Sequence, residues 1–320
     1  VVTKSLYADP KMIKQSPSGI AELIAPYVTM SKEDIVKSLQ ADTAFVWIDR
    51  MMDPEKSKAV AQLIADKNLE GLNFVEESKR YYPNGNLAAQ VLGFVGTDDK
   101  GLDGLEMVLD DELKGGIQKE LVATDRKGNA IFGSVLSKYL PDKGKSVTLT
   151  IDASIQFIAE RALDKAMEDT GAKHASVIVM DPKTGEILAM ANRPTYDPNH
   201  YSQGSEEDFK NIAVTNLYEP GSTFKPIIAS AALASGKWKL DQVYNDKGSF
   251  AANGHVMQNW NGEGYGPVRL IDILKFSINT GMAEIGTTTG ADILSKYVRN
   301  YGFGSETGIE LPGEGAGILY

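Results

Sequence analysis

A proline fixes one helix of this chain before any periodicity is considered. In Glu219-Pro220-Gly221-Ser222-Thr223-Phe224-Lys225-Pro226 the last residue has no backbone N–H to donate, and its ring would clash inside a helix. Pro226 is therefore confined to a first turn, which sets the helix start near Ser222. The run that follows, Ile227 to Ala234, is apolar on every side and closes at Gly236. A helix apolar all round is a buried one, so it is expected to cross the centre of its domain and hold Ser222 at the floor of a cleft. Ser222 and Lys225, one helical turn apart, then project from one face within hydrogen-bond reach, a hydroxyl nucleophile beside an amine base. The helix N-terminus disfavours an adjacent ammonium and so does burial, and both push Lys225 towards the neutral amine that a general base requires. The same residues also fit a simpler arrangement in which Ser222 only caps the helix.

A second group of polar residues, Ser277-Ile278-Asn279, falls in a predicted break between a helix ending near Phe276 and one starting near Thr280. A loop there can face the cleft, where the Ser277 hydroxyl can relay a proton and the Asn279 carboxamide can both donate to and accept from a peptide backbone. Capping of the following helix would explain the same residues and is compatible with that role. Other chemistries are narrowed by what the chain lacks. It has no cysteine, and His174, His200 and His255 are scattered without metal-ligand spacing, so neither a metal nor any other cofactor is called for. With 33 basic and 43 acidic side chains the net charge is −10, which offers no general attraction for nucleic acid. No run of about 18 apolar residues is present, so the sequence as written spans no membrane.

The length of 320 residues points to two domains. The first mixes short helices and strands: Ser31 with Asp34 starts a helix, Pro54 opens another that Asn68 and Gly71 close, and Phe45 to Ile48 and Leu72 to Val75 read as strands. Leu87 to Phe94 reads as a short helix. Gly101 to Leu113 reads as one helix with Leu102, Leu105, Val108, Leu109 and Leu113 on a single face, stopped by Gly115 and Gly116. A hairpin turn is expected at Asp125 to Asn129. The Pro/Gly/Lys-rich stretch from Pro141 to Lys145 marks the boundary, giving domains 1–146 and 147–320. A strand from Val147 to Ile151 then leads into a helix carrying Ile155, Ile158, Ala162 and Ala166 about a turn apart. Ala175 to Met180 and Glu186 to Ala191 form a hairpin around Pro182-Lys183-Thr184-Gly185, and further helices begin near Val268 and Ala291.

The chain resembles the class B penicillin-binding proteins, monofunctional peptidoglycan D,D-transpeptidases of bacterial cell-wall synthesis. YEPGSTFKP and SIN carry the likeness, together with YYPNGNLAAQVLGFVG, GLDGLE with its downstream LKGG, VIVMDPKTGEILAMANRPTYDPN and YGFGSETGIELPGE, in the family's order. The resemblance implies an α+β multidomain fold: a mixed helix/strand N-terminal pedestal or dimerisation domain, then the first part of a penicillin-binding/β-lactamase-like transpeptidase domain with an antiparallel sheet and helices. It also implies a parent anchored at the extracytoplasmic face of the bacterial membrane by a helix absent here, working with cell-wall synthesis or division membrane proteins.

By that resemblance Ser222 attacks the carbonyl of the penultimate D-alanine of a stem peptide and Lys225 takes its proton. Ser277 passes a proton to the departing amine, Asn279 holds the substrate amide, and a neighbouring stem peptide resolves the acyl-enzyme into a crosslink. A β-lactam would acylate Ser222 in the same way. Trp260 is a candidate for the substrate groove, and Glu219 either orients the network or favours the helix N-terminus by its charge. The family's third motif, Lys-Thr-Gly or Lys-Ser-Gly, is not found after Asn279, and Lys183-Thr184-Gly185 is a decoy in a hairpin turn. Without that motif's strand one oxyanion donor is missing, so this stretch of chain is expected to be impaired or inactive. Two alternatives share features with this reading: a serine β-lactamase or β-lactam sensor, and a non-catalytic scaffold of the cell-wall machinery.

Overall fold

The computed structural model of the chain describes residues 1–114, 122–124, 130–135, 144–252 and 254–319. Gly115, Gly116, the turn at Asp125 to Asn129 and Pro141 lie outside the described residues. The chain forms two compact units, Val1–Ala213 and Val214–Tyr320. Every described ladder is antiparallel, in keeping with the α+β class expected from the sequence.

In the first unit β1 (Val2–Ala8) lies between β2 (Val46–Met52) and β3 (Leu72–Ser78). Three helices pack with this sheet: α1 (Pro17–Ile24), α2 (Lys32–Leu39) and α3 (Pro54–Lys67). Together they bury Leu6, Ile20, Ile24, Ile35, Ile48 and Val60. The helix start at Ser31 and the helix opened by Pro54 and closed by Asn68 are those the sequence predicts, and the Asp53 cap adds to them. Ser31 accepts the Asp34 N–H at 3.1 Å, and Asp53 caps α3 with Pro54 at its first position and Asn68 closing it at φ 49°.

The next elements are α4 (Ala89–Leu92), α5 (Gly104–Val108) and α6 (Asp110–Leu113). The single helix expected over Gly101 to Leu113 is thus two short ones, with Leu102 46% and Val108 44% exposed. The cause is a close backbone crossing: a Cβ on Gly104 would lie 2.5 Å from the Gly93 nitrogen. The helix therefore starts only once Gly104 has passed Gly93 at φ 55°. Two short strands follow, β4 (Val122–Thr124) and β5 (Ala130–Val135), paired with each other.

Beyond residue 144 the unit continues with α7 (Ala153–Thr170) and the hairpin of β6 (Ala175–Met180) and β7 (Ile187–Arg193). The strand expected at Val147 to Ile151 does not form. That segment is fastened beside β7 by the Thr150 hydroxyl on Ile187 O and by Asp152 N–H on Leu188 O, which do not make a ladder. The buried face of α7 also differs from the expected apolar one: Gln156, Ala159, Glu160 and Leu163 are buried, whereas Ile158 is 66% exposed. Polar pairing decides this. The Gln156 amide donates to Met190 O at 2.9 Å and accepts Met190 N–H at 2.8 Å. Glu160 takes the Ala88 N–H at 2.8 Å and pairs with Arg193, which also pairs with Asp164. Lys183, Thr184 and Gly185 sit exposed in the β6–β7 turn, where Asp181 accepts the Lys183 N–H at 2.7 Å and Gly185 takes φ 82°. The short helices α8 (Glu206–Phe209) and α9 (Ile212–Thr215) lead to the unit boundary.

The second unit is built on α10 (Lys225–Ala234). Four strands follow, β8 (Val243–Asp246), β9 (Ser249–Ala252), β10 (His255–Gln258) and β11 (Gly266–Arg269), with β8 paired to β11 and β9 to β10. The helices α11 (Leu270–Lys275), α12 (Asn279–Thr289) and α13 (Ala291–Asn300) complete it. The core beneath them contains Ala229, Ala232, Trp238, Ile273, Ile278 and Ile285.

Replacing Arg193 by leucine strips Glu160 of its charge partner in a buried setting. Urea unfolding should show a loss of roughly 3 kcal/mol or more, and a loss within measurement error would contradict the role given to this pair.

Candidate active site

Ser222 lies on a 3₁₀ turn, Gly221–Phe224, and the α-helix proper begins at Lys225. The Lys225 N–H donates to Ser222 O at this junction. In 3₁₀ geometry residues three apart eclipse, so the turn aligns Ser222 and Lys225 more closely than an α-turn would. Their environments differ sharply. Ser222 is exposed and Lys225 is only 8% exposed, so the nucleophile candidate faces solvent while the amine is sunk behind it. The helix is not buried all round as expected: Ala229, Ala231 and Ala232 are buried, Ile227 and Ile228 half-buried and Ala234 exposed.

The Ser277-Ile278-Asn279 corner is shaped by a helix ending. Ser277 N–H donates to Leu274 O at 3.3 Å and Ile278 N–H to Ile273 O at 2.9 Å. This is the Schellman pattern, with Ser277 in its left-handed position at φ 53°. The accompanying apolar contact is supplied by Ile278 and Ile273, both 0% exposed in the core cluster. Glycine is the usual occupant of that position, since a Cβ there costs about 1 kcal/mol. Serine holds it here, and its hydroxyl and carbonyl are both used.

Lys225 Nζ donates to Ser277 O at 2.8 Å, Ser277 Oγ at 2.9 Å and Asn279 Oδ1 at 2.7 Å. Ser277 Oγ in turn lies 3.0 Å from Ser222 Oγ. The contact expected between Ser222 and Lys225 is therefore made through Ser277: a chain of hydrogen bonds runs amine, hydroxyl, hydroxyl. All three acceptors of Lys225 are neutral oxygens, and burial lowers its pKa below the ordinary lysine value. Asn279 is oriented by its other end, Nδ2 donating to Gln258 O at 3.1 Å. Trp260, two residues beyond Gln258, is 77% exposed, and Glu219 is exposed in the segment before the 3₁₀ turn. Ser222, Lys225, Ser277 and Asn279 are thus brought together, while Trp260 and Glu219 stand outside their hydrogen-bond chain.

Residues 2–149 match the family model described as the penicillin-binding protein dimerisation domain, and residues 175–320 match the penicillin-binding protein transpeptidase domain. The chain belongs to the class B penicillin-binding proteins. Among its relatives in this family, stage V sporulation protein D of Bacillus subtilis is 36% identical over 322 residues, covering 99% of this chain and 49% of that protein. The probable peptidoglycan D,D-transpeptidase PenA of Neisseria gonorrhoeae is 37% identical over 329 residues, covering 99% and 54%. Among solved structures, penicillin-binding protein 2X from Streptococcus thermophilus superposes with a TM-score of 0.71 at 25% identity, covering 100% of this chain and 51% of that one. The chain spans about half the length of the curated relatives it matches.

The sequence reading missed three residues of this penicillin-binding protein that underlie the corner: Asp246, Asn259 and Thr280, all buried. Only one local signal existed, an Asp two residues before Gly248, which forms an Asx turn with Asp246 Oδ1 accepting the Gly248 N–H at 3.0 Å.

Two expectations follow from this geometry. Ser277→Gly should be more stable than Ser277→Ala by about 1 kcal/mol in urea unfolding, since both lack the hydroxyl and only alanine keeps a Cβ in the left-handed position; equal stabilities would refute the strain. Because the folded state lowers the Lys225 pKa, the unfolded chain binds more protons between that lowered value and the ordinary lysine value of about 10.4. Stability should therefore contain a contribution that rises with pH across that window. Lys225→Met should abolish it, and an unchanged slope would count against the burial argument.

Proposed function

We propose that this chain carries the nucleophile half of a serine D,D-transpeptidase, acting on D-alanyl-D-alanine stem peptides of peptidoglycan and acylated by β-lactams. The observation that supports it most is the hydrogen-bond chain from buried Lys225 through Ser277 to exposed Ser222. Serine hydroxyls rotate, so the polarity of this chain can reverse when Lys225 is neutral. The Ser222 proton then passes to Ser277 as the Ser277 proton passes to the Lys225 amine, while Ser222 Oγ bonds to the substrate carbonyl carbon. Breakdown of the tetrahedral adduct expels D-alanine, whose nitrogen takes back a proton along the same path. The ester on Ser222 is then attacked by an amine of a second stem peptide, which forms the new amide and restores the serine.

Asn279 divides its carboxamide between Lys225 and Gln258 O, and its role in this reading is to hold the substrate amide beside the amine. Trp260 and Glu219 are proposed as peripheral groove residues. The functional division is proposed at 146/147, with the pedestal contacting membrane proteins of wall synthesis or division on the extracytoplasmic face of the membrane. Among the described residues no helix is long and apolar enough to cross a membrane.

Incubation of the full-length protein with a fluorescent penicillin should give one covalent adduct on Ser222 by peptide mass spectrometry. Ser222→Ala should abolish it, and Lys225→Met should slow it by roughly 10²- to 10⁴-fold, the range for loss of a positioned general base. Labelling at another residue, or undiminished labelling of Lys225→Met, would overturn the assignment.

A further inference from the structure

The hydrogen-bond chain leaves unexplained a buried polar cluster immediately beneath it. Asp246 ends β8, Asn259 follows β10 and Thr280 is the second residue of α12, and they are 3%, 4% and 0% exposed. The Asp246 carboxylate is met by four donors. Oδ1 accepts from the Thr280 hydroxyl at 2.6 Å and the Gly248 N–H at 3.0 Å. Oδ2 accepts from Asn259 Nδ2 at 2.7 Å and the Tyr265 N–H at 2.9 Å. Only an ionised carboxylate satisfies such a set, because an amide in its place would turn its NH₂ against two donors. Burial raises the carboxyl pKa, yet these hydrogen bonds outweigh it and hold Asp246 below the ordinary carboxylate range.

Asn259 carries the contact onward. Its Oδ1 accepts the Thr280 N–H at 3.2 Å. Ile278, at the cap position of α12, has no side chain to satisfy that free helix-end donor, so the cap arrives from a residue distant in sequence. Its neighbour Gln258 accepts from Asn279 Nδ2, which leaves Asn279 Oδ1 aimed at Lys225. The residues on both sides of the Gln258–Asn259 peptide bond thus grip two consecutive residues of α12, one of them an acceptor of the lysine.

We propose that Asp246, Asn259 and Thr280 form a positioning network that sets the first turn of α12 and, through it, the rotamer of Asn279 and the ring of oxygens around Lys225. The network touches no reacting atom. Buried polar clusters of this kind add geometric specificity more than stability, and a site of this type tolerates displacements of only about half an ångström. The proposal rests on the reading of Ser222 and Lys225 as nucleophile and base.

The test compares Thr280→Val, which removes the hydroxyl at constant shape, with Thr280→Ser, which restores it, in the full-length protein. The readouts are the rate of acylation by fluorescent penicillin and the hydrogen exchange of the amides of residues 277–280. Thr280→Val should acylate about 10- to 100-fold more slowly than wild type, the factor a hydrogen bond to a charged group carries, and Thr280→Ser should recover most of it. Equal acylation by the two variants, at equal folded fraction, overturns the network. Asp246→Asn is the second variant, expected to slow acylation to a similar extent, so a Thr280→Val protein that does not fold leaves the proposal exposed to this measurement. If wild type itself is not acylated, the reading of Ser222 falls separately. The network is then judged by hydrogen exchange: faster exchange in Thr280→Val than in Thr280→Ser supports it, and equal exchange overturns it.

Discussion

The second unit is organised around one buried amine. A lysine this deeply enclosed, with no carboxylate against it among the described residues, is tolerable only if its hydrogens are fully received, and three neutral oxygens converge to receive them. Each partner has its own structural cause. The amine stands where it does because Pro226 confines the helix start to one place. The Ser277 oxygens are brought in by a helix ending that turns the chain through the left-handed region. The Asn279 oxygen is aimed by an amide fixed at its far end on β10. Removing any one of these oxygens leaves Lys225 with an unmet hydrogen and weakens the tie between the corner and α10.

The same arrangement separates two demands that usually conflict. In the proposed reading the serine must be open to a large polymeric substrate, whereas its base must be kept from water so that it can give up its charge. Here the exposed hydroxyl and the buried amine are three residues apart, and Ser277 spans the difference in depth. The short 3₁₀ turn makes this possible, since it lifts Ser222 off the end of the helix whose first residue, Lys225, points inward.

Much of this was legible in the sequence because the informative residues act locally. Pro226 placed a helix start, Ser31 and Pro54 marked two more, and Gly185 marked a turn, each through backbone chemistry that needs no distant partner. The break at Ser277 was legible for the same reason. What was not legible depended on contacts across the chain. α7 shows this best: its apolar spacing suggested that Ile158 faces inward, but Gln156 and Glu160 find backbone and arginine partners on other elements and claim the buried face. The helix expected from Gly101 was interrupted because two glycine backbones cross, which no periodicity reveals. Asp246, Asn259 and Thr280 escaped notice because polar residues scattered over a loop-rich stretch look like solvated surface until the fold closes over them.

The strand β6 carries a different implication. Among the described residues it pairs on one side only, with β7, and it turns Ile178 and Met180 outward at 47% and 53% exposure. A bare strand edge flanked by apolar side chains is a template on which another chain can lay down a ladder. A strand laid there, from whichever chain supplies it, would cover both side chains.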